Sequence, residues 1–450
     1  MSPFLFSLYI NKMIKRLELS GLGIEIGGVR IPLLVFADDI VLCAENEGQL
    51  SKMLSIIGEE TEELRMTINQ EKSMVMHLKQ GKGEGTFIHG KWRIREGENR
   101  WLEIGEGEDI EYLGVMVSNL GIWGLKSRPV NDKRLGKARK IIETIKDEIR
   151  RGFDKIYMGK ILWESVGIPS ILYGTEVAEI SDTEIKELEK LQLEMGKCII
   201  GCGINIAHDV ILWELGWLPM EDRIIIKREG FLRRISNLSD GRITQRVFEE
   251  RRNMGWAEHT KTLIEKYGEP NVTGKAFKRR VKEMVMKKWR CNMETRITKN
   301  KGERRSWAEV YRHKVEWNEE IRIDSSKKEK IWTSLRVGDW EKKEGNRIED
   351  ISCGWCGEQE RGVAHLLWEC NPIKGETEEL GRLIKEEWGD DKWEEWSQED
   401  RASRVAGVLG IKGDCSEKQK LLVTACFEYF TGLLKRNKER ESGARVLARR

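Results

Sequence analysis

Two groups of side chains in this sequence have types and spacing that could do chemistry. The first is Asp38-Asp39, enclosed by the apolar runs Leu33–Ala37 and Ile40–Ala44 within Ile31–Ala44, IPLLVFADDIVLCA. Adjacent carboxylates repel, and a partly buried carboxylate is costly unless neutralised. A divalent cation with hard oxygen ligands, Mg²⁺, removes both costs. A solvated acidic turn accounts for the dipeptide too, since Asp is a common turn residue. The second group is Cys353, Cys356, His365 and Cys370, with two, eight and four residues between successive members. Three thiolates and an imidazole make a complete tetrahedral set for structural Zn²⁺, leaving no open position for water. Free cysteines in a reducing compartment are the alternative. There is no Gly-rich phosphate loop, and no Ser/His/Asp set has recognisable spacing.

The elements that must position these groups follow from pattern. The runs flanking Asp38-Asp39 have the length and composition of buried strands and predict a hairpin with the aspartates at its tip. Asp-Asp is an unusual choice there, because tight hairpins favour Asn-Gly or Asp-Gly. Ser2-Pro3 opens a helix to about Leu19 that is apolar nearly all round in its early turns and is expected to be buried. Gln49–Ile68 reads as an amphipathic helix with Leu50, Met53, Leu54, Ile57 and Leu64 inward and Glu59, Glu60, Glu62 and Glu63 mostly outward. Asn69-x-x-Lys72 precedes a strand-like Ser73–Leu78. One or two short strands are expected in Gly81–Gly107, and another over Ile110–Ser118. Lys133–Arg150 predicts a strong helix with Leu135, Ala138, Ile142, Ile145 and Ile149 inside and Lys137, Arg139, Lys140, Lys146 and Arg150 on its other faces. Beyond it the pattern is mostly helical, with breaks at Gly167-Ile168-Pro169, Gly201–Gly203 and Leu218-Pro219.

The blocks SPFLFSLYINKM, FADD, TINQEKSMVM and YLGVMVS, in that order across Ser2–Ser118, resemble the second half of a reverse transcriptase palm. The likeness is to non-LTR (LINE-type) retrotransposons in particular. Ile168–Gly174 (IPSILYG), Glu214–Pro219 (ELGWLP) and the Cys/His segment, preceded by Arg336-Val337-Gly338, are similar to later parts of such proteins. The resemblance implies RNA-directed DNA polymerisation by two Mg²⁺ ions, with Asp38 and Asp39 as metal ligands and Lys72 assisting the leaving group. Phe36 would pack the hairpin beneath the metals. Tyr112, Leu113 and Gly114 would hold the primer end, and Lys137, Arg139, Lys140 and Lys146 would run along a nucleic-acid backbone as a thumb helix. An RNA template, a DNA primer or target and deoxynucleotides are the implied partners, with Zn²⁺ held by Cys353, Cys356, His365 and Cys370.

The implied fold class is α+β: part of a palm with an antiparallel sheet, then a mainly helical thumb and C-terminal region with a zinc knuckle. The implied divisions are residues 1–125 (palm), 126–240 (thumb and connection), 241–340 (basic helices), 341–375 (zinc knuckle) and 376–450 (acidic, Trp-rich, then a last helix). The family draws a further aspartate from an earlier palm strand, for which the sequence offers no candidate, so this chain alone is expected not to polymerise. A non-catalytic nucleic-acid-binding protein and a decayed retroelement remnant are the alternatives.

Charge supports a polyanion partner. The net is only +3, but Lys126–Lys160 carries twelve basic and five acidic residues, and Lys275–Arg305 thirteen and three. Lys374–Asp400 carries four and eleven. Two basic belts and one acidic segment suit a protein that meets nucleic acid on part of its surface. Phe277 and Trp289, interleaved in the second belt, are candidates for nucleic-acid contact, with a plain basic surface helix as the alternative. No window approaches a membrane span, and no signal peptide is recognised. The nine cysteines do not form a disulfide framework. An intracellular protein of nucleus or cytoplasm, neither secreted nor membrane-bound, is expected.

Overall fold

The period-3.6 stripe at the N-terminus and the period-2 runs after it sort themselves onto a common core. A computed structural model describes residues 2–78, 92–96, 100–118, 128–151, 155–178, 180–201, 208–239, 241–253, 255–268, 274–299 and 389–399. It also describes 356, 365, 370, 375, 378, 381, 382, 385, 386, 404, 426 and 429. The chain divides into two units, each built from separate stretches. Unit 1 takes Met1–Lys133, Leu172–Asp182 and Ile224–Lys278; unit 2 takes Arg134–Ile171, Thr183–Arg223 and Arg279–Arg450. Among the described residues no helix is long and apolar enough to cross a membrane.

In unit 1, α1 (Ser2–Tyr9) and α2 (Asn11–Leu19) form nearly one helix, since the amide of Ile10 reaches Phe6 O and that of Ile14 reaches Ile10 O, both at 3.1 Å. Ile10, Met13 and Leu17 are buried, while Leu5, Leu8 and Tyr9 are half exposed or more. The burial expected of the early turns is therefore partial: among the described residues Ile10, Met13 and Leu17 form the buried stripe, with Phe6 and Ile14 packed beside it. That stripe packs on β3 (Leu33–Phe36), β4 (Asp39–Leu42) and α3 (Glu47–Glu63), with Leu33, Met53 and Ile57 completing the core. A small hairpin, β1 (Ile24–Ile26) with β2 (Val29–Ile31), leads into it.

Helix α3 serves two cores. Leu54 faces the second, with Val75, Trp92, Ile94, Leu102 and Ile104 from β5 (Met74–Val75), β6 (Trp92–Glu96) and β7 (Arg100–Glu106). Gly58 allows the close approach: a Cβ there would lie 2.6 Å from the Arg95 carbonyl oxygen. The helix ends at Glu63, earlier than its pattern suggests, because Arg65 turns left-handed at φ 51°. Glu60 is not on the solvent side but 1% exposed, held by Arg16 of α2 at 2.9 Å.

Among the described residues the strands form four small sheets, antiparallel as expected except that β5 pairs with β7 in parallel. The stretch Ile110–Ser118 is not one strand but a hairpin, β8 (Asp109–Tyr112) with β9 (Val115–Ser118).

Unit 2 holds most of α4 (Arg128–Arg151), whose Leu135, Ala138, Ile142, Ile145 and Ile149 are all buried. The break expected at Gly167-Ile168-Pro169 is absent. From α5 (Lys155–Leu162) the chain passes through a π turn, Trp163–Gly167, into α6 (Ile168–Ile171). A π turn absorbs the amide that Pro169 lacks. Trp163 is fully buried over Gly167, where a Cβ would come within 2.6 Å of its ring. Helices α7 (Asp182–Ile200) and α8 (His208–Leu215) and the start of α9 (Met220–Ser236) complete this core. Helices α10 (Ile243–Arg251) and α11 (Gly255–Glu265) follow in unit 1.

The second basic belt forms α12 (Gly274–Lys299). Its aromatics are core anchors rather than nucleic-acid contacts. Phe277 is 2% exposed beside Tyr267, and Trp289 stacks on Trp213 at 4.0 Å and donates to the Asp209 carbonyl. In the acidic segment, Asp390–Gln398 is a helix that buries Trp396.

Candidate functional site

The β3–β4 hairpin pairs Leu33 with Leu42, Leu34 with Val41, Val35 with Ile40 and Phe36 with Asp39. Its turn is therefore Ala37-Asp38, and Asp39 is the first residue of β4 rather than part of the tip. Ala37 takes φ 52°, while Asp38 is not left-handed. These are the φ signs of a type II′ turn, which follows the right-handed twist of the strands. The strand faces alternate, with Leu33 buried and Leu34 and Phe36 exposed. Phe36, 62% exposed at the hairpin end, lies on the outer face, because the period of two sends Leu33 and Val35 inward. Asp38 and Asp39 both face solvent.

Asn69-x-x-Lys72 has a local explanation. Asn69 caps the 3-10 turn Gln70–Lys72, its side-chain oxygen accepting from the Lys72 amide at 3.2 Å. The spacing that suggested a motif is thus also a capping geometry, and it leaves the Lys72 side chain exposed.

The β8–β9 hairpin turns at Leu113-Gly114, with φ 50° and 76°, the two positive values of a type I′ turn. Tyr112, at its shoulder, is half-buried. Burial raises its phenol above the ordinary value, and the negative charge of Asp39 adds to the effect. Asp39 and Tyr112, 73 positions apart in sequence, therefore lie within electrostatic reach of each other.

On α4, Lys137, Arg139 and Lys140 are exposed. Lys146 is not free in the same way: its ammonium binds Glu143 at 2.8 Å and Glu194 at 2.5 Å. Burial works against its charge, but the two carboxylates outweigh that and raise its pKa.

Among the described residues, one group of His, Cys, Asp or Glu side chains could hold a metal: Cys356, His365 and Cys370, with ligand atoms within 4.8 Å of one another. Cys356 Sγ lies 3.4 Å from His365 Nε2, and His365 and Cys370 are buried. Two soft sulfurs and an imidazole nitrogen fit Zn²⁺. Cys353, the fourth expected ligand, lies outside the described residues. No third acidic, His or Cys side chain among them joins Asp38 and Asp39 in such a group. Two exposed carboxylates alone do not fit a two-metal centre.

Comparison with known proteins bears on the first of these sites. Residues 1–117 match the family described as reverse transcriptase (RNA-dependent DNA polymerase). Residues 1–117 carry a reverse transcriptase domain. The Retrovirus-related Pol polyprotein from type-1 retrotransposable element R2 of Nasonia vitripennis is 29% identical to the chain over 122 residues. That alignment covers 27% of this chain and 12% of the relative's length. The reverse transcriptase domain thus includes both hairpins and Lys72, whereas α4, the later helices and the Cys/His cluster lie beyond the family match.

Sequence pattern did not reveal Tyr173, whose hydroxyl donates to the Leu113 carbonyl at 2.9 Å. Its only signal was membership of the IPSILYG block.

Proposed function

We propose that this chain is the C-terminal part of a non-LTR retrotransposon reverse transcriptase and contributes two of the three carboxylates of its metal-binding set. The observation that carries the proposal is the pair of hairpins within the matched domain, with Asp39 within electrostatic reach of Tyr112. In this reading Asp38 and Asp39 hold Mg²⁺ together with a carboxylate supplied from outside this sequence. Mg²⁺ held by such a completed set would supply activation of the attacking oxygen and charge stabilisation at the leaving group. This chain's own residues hold the parts in place. Lys72 offers an exposed positive charge on the capped turn, the Tyr112–Gly114 turn meets the primer end, and Lys137, Arg139 and Lys140 line a phosphate backbone. The Cys356, His365 and Cys370 cluster, with Cys353, holds a structural Zn²⁺. An RNA template, a DNA primer or target and an intracellular location, nuclear or cytoplasmic, belong to the same proposal.

The test is primer extension on an RNA template with Mg²⁺, comparing this chain with a version extended upstream by the parent sequence. Extension by the longer protein alone, lost in Asp38→Ala, is the expected result. If neither protein extends the primer, the catalytic reading fails. Binding of template that persists in Asp38→Ala would then favour a non-catalytic nucleic-acid-binding protein, for which the exposed cations of α4 already speak.

A further inference from the structure

Beyond the reverse transcriptase match, one short stretch returns to unit 1 and grips the β8–β9 hairpin. Tyr173 donates to the carbonyl of Leu113, the turn residue held at φ 50° without being glycine. A side chain at Gly114 would come 3.3 Å from the Tyr173 ring, and one at Gly174 would come 2.8 Å from Val115 Cγ2. Both positions also need positive φ, 76° and 78°. The two glycines therefore let the chains meet where any side chain would hold them apart.

The stretch is itself tied down. Lys227 donates to the Leu172 carbonyl at 2.7 Å, and Arg228 to those of Thr175 and Ala178 at 3.2 and 2.6 Å. Trp256 donates to the Glu176 carbonyl at 2.7 Å. Helices α9 and α11 thus fix residues 172–178 by their backbone, and Tyr173 passes that rigidity to the Leu113-Gly114 turn.

We propose that Tyr173 is a positioning residue: with Gly174 it braces the Leu113-Gly114 turn so that the hairpin presents a fixed surface to the primer end. The primer half of this statement rests on the function proposed above; the brace does not. Tyr173 is itself half exposed, so loss of its hydroxyl leaves the core intact.

Two readouts on the full chain test it. Hydrogen exchange reports the brace, and a fluorescent base analogue at the primer 3′ end of an RNA–DNA duplex reports the approach of the hairpin. In Tyr173→Phe the amides of residues 113–115 are expected to exchange on the order of fivefold faster, the scale of one hydrogen bond removed. Exchange over 33–42, the unfolding midpoint and overall duplex affinity stay unchanged, while the 3′-end signal falls. Gly174→Ala, which pushes the hairpin away directly, should likewise speed exchange at 113–115 and lower the 3′-end signal, with a lower unfolding midpoint from its left-handed φ. Unchanged exchange at 113–115 in both variants overturns the brace. Faster exchange with an unaltered 3′-end signal overturns the positioning role. If the wild-type chain itself gives no 3′-end signal, the primer reading of the hairpin falls, and exchange alone decides the brace.

Discussion

Ala37 and Leu113 stand at the turns of the β3–β4 and β8–β9 hairpins, and both take a left-handed φ without being glycine. An L residue there costs about 1–2 kcal/mol relative to its preferred regions. Ala37→Gly should relieve that cost and stabilise the domain by about 1 kcal/mol after the extra chain entropy of glycine is offset. Urea unfolding measures this, and a loss of stability would show that Ala37 makes contacts worth more than its strain. Glycine would also loosen the segment that aims Asp38, so the strain is matched to keeping the aspartates in one place. The hairpin itself was legible in the sequence, because two apolar runs bounded by Pro32 and Glu45 admit few other arrangements. The turn was not, because Ala-Asp carries no sign that the chain will turn at Ala37 and leave Asp39 in the strand.

At the scale of elements, charges read as solvent-facing are often structural. Arg134 and Glu184 join α4 to α7 at 2.7 Å with side chains 10% and 1% exposed. Arg134→Met leaves that carboxylate buried without its cation and should cost about 3–5 kcal/mol, read by urea unfolding. Burial pushes the Glu184 carboxyl above its ordinary value, and Arg134 only partly pulls it back. A proton held more tightly in the folded chain than in the unfolded one adds stability at low pH, and that stability is lost as pH rises through the folded value. Glu184→Gln should therefore gain on the wild type as pH rises from the ordinary carboxyl range through the raised folded value of Glu184, a trend that midpoint-against-pH curves would show or refute. Gly58→Ala tests a different contact: its Cβ would meet the Arg95 backbone, so α3 or β6 must shift, at about 1–3 kcal/mol. An unchanged melting temperature would mean the two cores of unit 1 slide past one another freely. Sequence pattern found α3 and α4 with their inward residues. It missed the burial of Glu60, and the pairing of Lys146 with Glu194, because each depends on a partner 44 or 48 positions away. Helical periodicity carries no information about such partners.

Across the whole molecule the positive charge is concentrated rather than large, and its availability is uneven. Replacing Lys137, Arg139 and Lys140 together with glutamine should flatten the dependence of log affinity for duplex on log salt by about 2–3, near 0.9 for each phosphate no longer neutralised. Lys146→Gln should change that slope far less and instead lower stability, since its charge already answers two carboxylates. Equal slopes for wild type and triple variant would remove α4 from the nucleic-acid surface.

Unit 1 takes its last stretch from Ile224–Lys278, although the family match ends at residue 117. During synthesis at about 5–20 residues per second, the β8–β9 hairpin is made roughly seven to thirty seconds before helix α11 is finished. Tyr173, α9 and α11 follow the hairpin in that order, so its full set of anchors is complete only at the end of that interval. A nascent chain of this protein carries an unfinished reverse transcriptase domain for that interval. Polypeptides ending near residue 120 should therefore be recovered as aggregates or protease-sensitive chains, and those ending beyond residue 280 as folded protein.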